Sequence, residues 1–116
     1  MQAPEFRIKH VGINTPSGEA AEALTGELCG LFELKRGHEN DAHIFAGDLF
    51  EVMKHEKIGT HGHIALQTSD VEGAIAYFAE KGISVLESTI RRDAQGRITF
   101  AYLDLEVGGF AFHLTV

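Results

Sequence analysis

The sequence of 116 residues lacks several features that would indicate particular classes of protein. Cys29 is its only cysteine, which excludes an intrachain disulfide and a cysteine-rich structural zinc site. Basic residues are few, since 10 Lys and Arg stand against 17 Asp and Glu, and the net charge of −7 argues against nucleic acid or an anionic membrane as partner. No apolar run reaches the roughly 20 residues of a membrane span, and the N-terminus has no secretory signal. We therefore expect a soluble, cytoplasmic protein.

What the sequence does contain is enough apolar material for one packed domain over residues 1–116, together with seven histidines and 13 glycines. Residues 6–14 alternate between apolar and polar side chains and predict a strand. Thr15 followed by Pro16 predicts a helix start, and apolar residues from Ala21 to Leu31 recur at helical spacing. Three short strands should follow, at 31–35, 42–46 and 49–54.

The same order of elements then repeats. Residues 61–68 predict a strand, and Ser69 with Glu72 predicts a capping box at the start of a second helix that ends near Gly82. Strands are expected at 83–90, 97–105 and 109–116, with a turn at 93–96. Residues 10–15 and 63–68 also match class for class. We therefore predict an α+β fold of two tandem βαβββ modules, about 6–54 and 61–116, forming a curved mixed sheet around a metal-binding cavity.

Strand parity places four ligand-type side chains away from the predicted apolar layers. In each of four strands, the apolar residues on either side of the candidate ligand point toward a helix. Successive side chains of a strand lie on opposite faces, so the candidate ligand points away from the helix. If the two modules close around a pseudo-twofold axis, the four side chains converge. They are His10, Glu51, His63 and His113.

Three imidazoles and a carboxylate suit a divalent transition metal such as Zn, Ni, Fe, Co or Mn. The alternative is a set of separate polar residues on half-exposed strands, which would be the preferred interpretation of a single histidine. The repeat-equivalent positions favour a metal site. The other histidines lie in turns or near strand ends, where we expect solvated side chains, although His61 shares a face with His63; they are His38, His43, His55 and His61.

The doubled pattern resembles the vicinal oxygen chelate superfamily, which includes glyoxalases, bleomycin-resistance proteins and extradiol dioxygenases. The segments KHVGIN (9–14), LFEVMK (49–54) and GTHGHIALQT (59–68) are similar to the ligand strands of glyoxalase I. The resemblance implies His10, Glu51 and His63 as metal ligands. His113 stands where the glyoxalase pattern has a glutamate that serves as ligand and base, so we expect weak or no glyoxalase I activity. Three further segments, 51–66, 74–83 and 108–116, resemble the glyoxalase-like domain fused to 2-keto-3-deoxy-6-phosphogluconate aldolases.

The resemblance implies chemistry in which adjacent substrate oxygens chelate a metal that acts as a Lewis acid. Our leading hypothesis is a metal-dependent isomerase, epimerase or lyase for a small 2-oxo or 2-hydroxy acid or its aldehyde. Glu51 is the candidate base, with a static ligand role as the equal alternative. A non-catalytic sequestering module and an iron dioxygenase are the competing hypotheses.

Two further expectations concern the substrate and the assembly. Cationic side chains at 91, 92 and 97, with Lys54 and Lys57, could hold a substrate carboxylate or phosphate, although solvated positions are the preferred interpretation for most of them. Because the two modules leave sheet edges that a second copy can cover, we predict a homodimer.

Overall fold

The computed structural model describes residues 2–116. It contains two α-helices, a single 3-10 turn and eight strands. In chain order these are β1 (Arg7–Ile13), α1 (Gly18–Phe32), β2 (Arg36–Glu39), β3 (His43–Ala46), β4 (Phe50–Met53), β5 (Gly62–Gln67), α2 (Val71–Glu80), the 3-10 turn (Glu87–Thr89), β6 (Arg91–Arg92), β7 (Ile98–Val107) and β8 (Phe110–Thr115).

All eight strands form one mixed sheet in the order β2-β3-β4-β1-β5-β8-β7-β6. In the first unit, β1–β4 with α1, strand β1 pairs in parallel with β4. In the second unit, β5–β8 with α2, strand β5 pairs in parallel with β8. The two units join through the antiparallel pair β1 and β5 at the centre of the sheet. The predicted α+β class and the doubled βαβββ order are therefore confirmed.

Each helix packs against strands of its own unit. Ala21 of α1 is fully buried against Ile44 and Val52. In the second unit Val71 and Ala74 of α2 pack with Leu103 and Leu114. The two helices therefore cover the face of the sheet that carries the alternating apolar side chains. The side chains on the opposite face line a cavity. Among the described residues neither helix is long and apolar enough to cross a membrane.

The first helix begins later and ends later than the sequence predicts. Its N-cap is Ser17, whose hydroxyl accepts a hydrogen bond from the backbone N–H of Ala20. Thr15 is buried, and its hydroxyl donates to the carbonyl of Met53 at 2.6 Å. Because Thr15 is occupied by this contact with β4, the capping role passes to the next serine. The helix also continues through Phe32, so the strand predicted at 31–35 was wrong, and β2 follows after a left-handed residue at Glu33.

Two further local predictions needed correction in the second unit. Asp70 is the N-cap of α2 and accepts from the backbone N–H of Gly73, whereas Ser69 was predicted to cap. The strand predicted at 83–90 is a short extended segment that bridges Val85 to Leu103, followed by the 3-10 turn. The regular pairing comes only with β6, which is two residues long.

Candidate metal centre

Gly12, near the end of β1, lies between two of the candidate ligands. Gly12 lies opposite Glu51 of β4 on one side and opposite His63 of β5 on the other. A Cβ on Gly12 would clash with Cε1 and Nδ1 of the His63 imidazole. The absence of a side chain at Gly12 is therefore what lets the His63 ring lie over β1 and reach Glu51.

The same arrangement recurs around Ala65 of β5. His10 lies opposite Ala65 on the β1 side, and His113 lies opposite Ala65 on the β8 side. Gly12 and Ala65 are thus each flanked by two candidate ligands. One of the two comes from the residue's own unit and the other comes from the second unit. This register brings the four predicted residues together on one face of the sheet.

Three of the four side chains meet within hydrogen-bonding range, and the fourth lies close by. His63 Nε2 lies 2.9 Å from Glu51 Oε1 and 3.3 Å from His10 Nε2. His10 Nε2 lies 3.4 Å from the same Glu51 oxygen. His113 joins the group, since one ligand atom from each of the three histidines lies within 4.8 Å of the others. His63 and His113 are buried, and His10 and Glu51 are partly buried.

The electrostatics of the cluster keep Glu51, His10 and His113 in the forms that bind metal. Burial raises the pKa of Glu51, but the hydrogen bond from His63 and the nearby histidines outweigh it and leave the pKa below its ordinary value. Burial lowers the pKa of His10 in spite of Glu51, and it lowers the pKa of His113 to about 3, with His63 and His10 adding to the effect. Glu51 is therefore ionised, and His10 and His113 are neutral, near pH 7.

The cluster fits a divalent transition metal. A tetrahedral ion with ligand distances of ~2.1 Å separates its donor atoms by ~3.4 Å, which is close to the separations among Glu51, His10 and His63. Nδ1 of the buried His113 has no hydrogen-bond partner among residues 2–116, as is common where an ion or water is bound. Nδ1 of His63 is also unpartnered, but it points away from the Nε2 that faces Glu51. Neutral imidazole with one carboxylate is also the donor set that such metals prefer.

His43 contacts Glu51, which the sequence interpretation did not predict. It was predicted to be solvated, but its Nδ1 lies 2.7 Å from Glu51 Oε2 and its side chain is only 14% exposed. Its Nε2 lies 2.8 Å from Nδ1 of His38, which is exposed. The prediction of a solvated side chain was therefore wrong for His43. His55 and His61 are exposed, and His61 packs against the ring of Phe110.

A cavity of about 710 Å³ opens beside the cluster. Of the five cations singled out from the sequence, Arg91 and Lys57 line it, and Lys9 joins them from β1. The guanidinium of Arg91 lies 4.6 Å from the ring centre of Phe100 and makes no ion pair with any of residues 2–116. The other three cations are engaged elsewhere: Arg92 with the carbonyl of Gly96, Arg97 near Glu72, and Lys54 with Glu39.

Tyr102 is a second residue that the sequence interpretation missed. It lies directly opposite His113 in the pairing of β7 with β8, and the centres of the two rings are 5.0 Å apart. Burial and the charge of Glu51 raise the pKa of Tyr102 to about 12, so its hydroxyl keeps its proton near neutral pH. It is therefore a neutral hydrogen-bond donor beside the histidines. Alternation along 97–105 could have placed it on the cavity face, because it lies two residues from Phe100, which also lines the cavity.

Comparison with known proteins locates the fold among solved structures. No protein-family model matches the chain, and no curated protein matches it. A methylmalonyl-CoA epimerase in complex with methylmalonyl-CoA and NH4+ is 20% identical, with a TM-score of 0.62 over 94% of this chain and 92% of that one. The chain has the methylmalonyl-CoA epimerase fold.

Two other structures support this assignment. A hypothetical protein from Bacillus halodurans C-125 is 18% identical, with a TM-score of 0.65 over 96% of this chain and 94% of that one. The Mycobacterium tuberculosis methylmalonyl-CoA epimerase is 16% identical, with a TM-score of 0.57 over 93% of this chain and 85% of that one. The α+β fold of two βαβββ units that the sequence predicts is therefore confirmed. The closer resemblance to aldolase-fused domains stays a prediction.

Proposed function

We propose that the protein is a metal-dependent isomerase, epimerase or lyase of the glyoxalase type that acts on a small 2-oxo or 2-hydroxy acid or its aldehyde. The observation that carries the proposal is the meeting of three imidazoles and one carboxylate, from four strands and both units, beside an open cavity. In this proposal the metal is held by His10, Glu51, His63 and His113. A bound divalent transition metal (Zn, Ni, Fe, Co or Mn) supplies Lewis acidity to adjacent oxygens of the substrate.

The surrounding side chains support a reaction that moves a proton on an anionic substrate. Arg91, with no ion-pair partner among residues 2–116, is available to bind a substrate carboxylate at the rim of the cavity. Glu51 is ionised and can accept a proton at Oε1, the oxygen that faces His10 and His63. Tyr102 keeps its proton and can donate a hydrogen bond to a developing negative charge. Methylmalonyl-CoA epimerase, the structural neighbour, is an epimerase, which supports the same reaction class.

The substrate is proposed to be compact. A cavity of about 710 Å³, lined by side chains of both units, is of the size that encloses a small molecule. The resemblance to domains fused behind 2-keto-3-deoxy-6-phosphogluconate aldolases supports a sugar-acid derivative within this class.

Two measurements test the proposal. Protein purified without added metal should contain a divalent transition metal in a ratio near one per chain, measured by inductively coupled plasma mass spectrometry. A panel of 2-oxo and 2-hydroxy acids in D2O should include a substrate whose proton next to the carbonyl exchanges, measured by proton NMR. Protein without metal that binds these acids unchanged would favour the sequestering module. Iron with consumption of O2 would favour the dioxygenase.

A further inference from the structure

The two oxygens of Glu51 have different partners. Oε1 faces His10 and His63, the proposed metal ligands, whereas Oε2 is 2.7 Å from Nδ1 of His43. Because an ionised carboxylate only accepts hydrogen bonds, Nδ1 of His43 must carry the proton in this contact. Because the carboxylate is held through Oε2, its Oε1 is kept pointing toward His10 and His63.

A second histidine completes the arrangement. When His43 is neutral and carries its proton on Nδ1, its Nε2 accepts, and Nδ1 of His38 donates across the 2.8 Å contact. In this form the order of donation runs from His38 at the surface to His43 and then to Glu51. This order fixes the tautomer and the ring orientation of His43.

From this geometry we infer that His43 is a positioning residue for the metal ligand Glu51, and that His38 supports it. The inference rests on the proposed metal site. Partners of this kind hold a ligand in the direction that the metal needs, and their loss commonly weakens metal binding about 10- to 100-fold. His43 lines the same cavity as the proposed ligands, and its side chain contacts Glu51, His38 and the ring of Phe45.

The test uses Co2+ alone as the probe, added to the metal-free protein of residues 1–116. His43→Phe keeps the ring and removes the N–H, so Co2+ affinity should fall about 10- to 100-fold and the visible absorption of bound Co2+ should change. His43→Asn places an amide N–H near the former Nδ1, so its affinity should stay within about threefold of the wild type. His55→Phe is the matched control, because His55 is exposed and lies outside the cluster, and it should bind Co2+ like the wild type.

The outcomes separate this inference from the proposed function. If the wild type binds Co2+ and His43→Phe binds it with the same affinity and spectrum, the inference is wrong and the metal site stands. If His43→Asn loses as much affinity as His43→Phe, the donated hydrogen bond is not the cause and the inference is also wrong. If the wild type binds no divalent metal, both proposals are overturned. Should the Phe variant fail to fold, as judged by circular dichroism without metal, His43→Leu replaces it with the same expectations.

Discussion

Gly12 lies directly across the β1–β5 pair from His63, and the imidazole of His63 occupies the space that a side chain at position 12 would need. Gly12→Ala should therefore push the ring away from Glu51. We expect a loss of metal affinity of at least about 10-fold and a destabilisation of about 1–3 kcal/mol, as for overpacked cores. Isothermal titration with Zn2+ and urea unfolding measure the two effects.

The control for this substitution is Gly26→Ala in α1, where an added Cβ meets no atom within 4 Å. It should bind Zn2+ like the wild type and gain up to about 1 kcal/mol, because alanine favours a helix more than glycine does. Unchanged Zn2+ binding by Gly12→Ala would contradict the packing of His63 described above.

Glu51→Gln tests the role of the only carboxylate in the cluster. The amide oxygen can still coordinate weakly but cannot accept a proton, so turnover should be abolished while much of the metal stays bound. Metal content and the rate of proton exchange on the substrate found by NMR are the measurements. If the variant keeps wild-type turnover, Glu51 is a static ligand only.

His113→Glu restores the glyoxalase arrangement of two histidines and two glutamates. Wild-type protein should show weak or no isomerisation of the methylglyoxal–glutathione adduct, and the variant should keep its metal and move toward that activity. Strong wild-type turnover of the adduct would contradict the argument that a metal-bound imidazole is a poor base in the last strand.

Arg91→Ala tests recognition of a substrate carboxylate. The guanidinium lies at the cavity and has no ion-pair partner among residues 2–116, so its removal should raise KM for an acid substrate by about 10- to 100-fold, in line with about 1.5–3 kcal/mol for a charge-assisted hydrogen bond. Arg92→Ala is the matched control, since Arg92 donates to the carbonyl of Gly96. Equal effects of the two substitutions on KM would exclude a specific role for Arg91.

The stability of the metal-free protein should fall on acidification. The pKa of His113 is lowered to about 3 in the folded state, so between pH ~6.5 and about 3 the unfolded chain binds a proton that folded His113 does not. This contribution is complete above pH ~6.5 and is lost as the pH falls, and it is of the order of a few kcal/mol at about 1.4 kcal/mol per pKa unit. Urea unfolding in EDTA from pH 7.5 to 4.5 measures it. His113→Gln should have a flatter profile, and a flat wild-type profile would contradict the prediction.

A homodimer of twice 12.7 kDa is expected in solution. The outer strand β2 leaves a sheet edge whose four residues are all exposed, and Leu31 and Phe32 at the end of α1 are 68% and 60% exposed. Multi-angle light scattering at micromolar concentration checks the mass, and a value near 12.7 kDa would refute the dimer.

Alternation and repetition in the sequence predict the fold and the meeting of four side chains, because both depend on strand parity. The errors arise where a tertiary contact overrides a local signal. Thr15 is of a residue type that commonly caps helices, but its hydroxyl donates a hydrogen bond to the carbonyl of Met53 instead. The segment 31–35 is apolar like a strand, yet α1 continues through Phe32.

His43 shows a different limit. Its strand was predicted, and parity within 42–46 would have placed it on the same face as Phe45, which lies opposite Glu51. The sequence does not show, however, that β3 and β4 pair in the register that brings His43 within 2.7 Å of that carboxylate. Pairing between strands is set by the whole sheet, so such contacts become visible only in three dimensions.

The antiparallel contact of β1 with β5 has a consequence for the order in which the molecule acquires its chemistry. His10 and His63 are 53 positions apart along the chain, and each unit contributes only two of the four donors. Contacts over such distances carry an entropic cost of loop closure, which the packing of the docked units must offset. The donor set is complete only when the two units are docked, so metal binding reports the docked sheet, and an ion supplied during refolding would favour it over states in which β1 and β5 are unpaired.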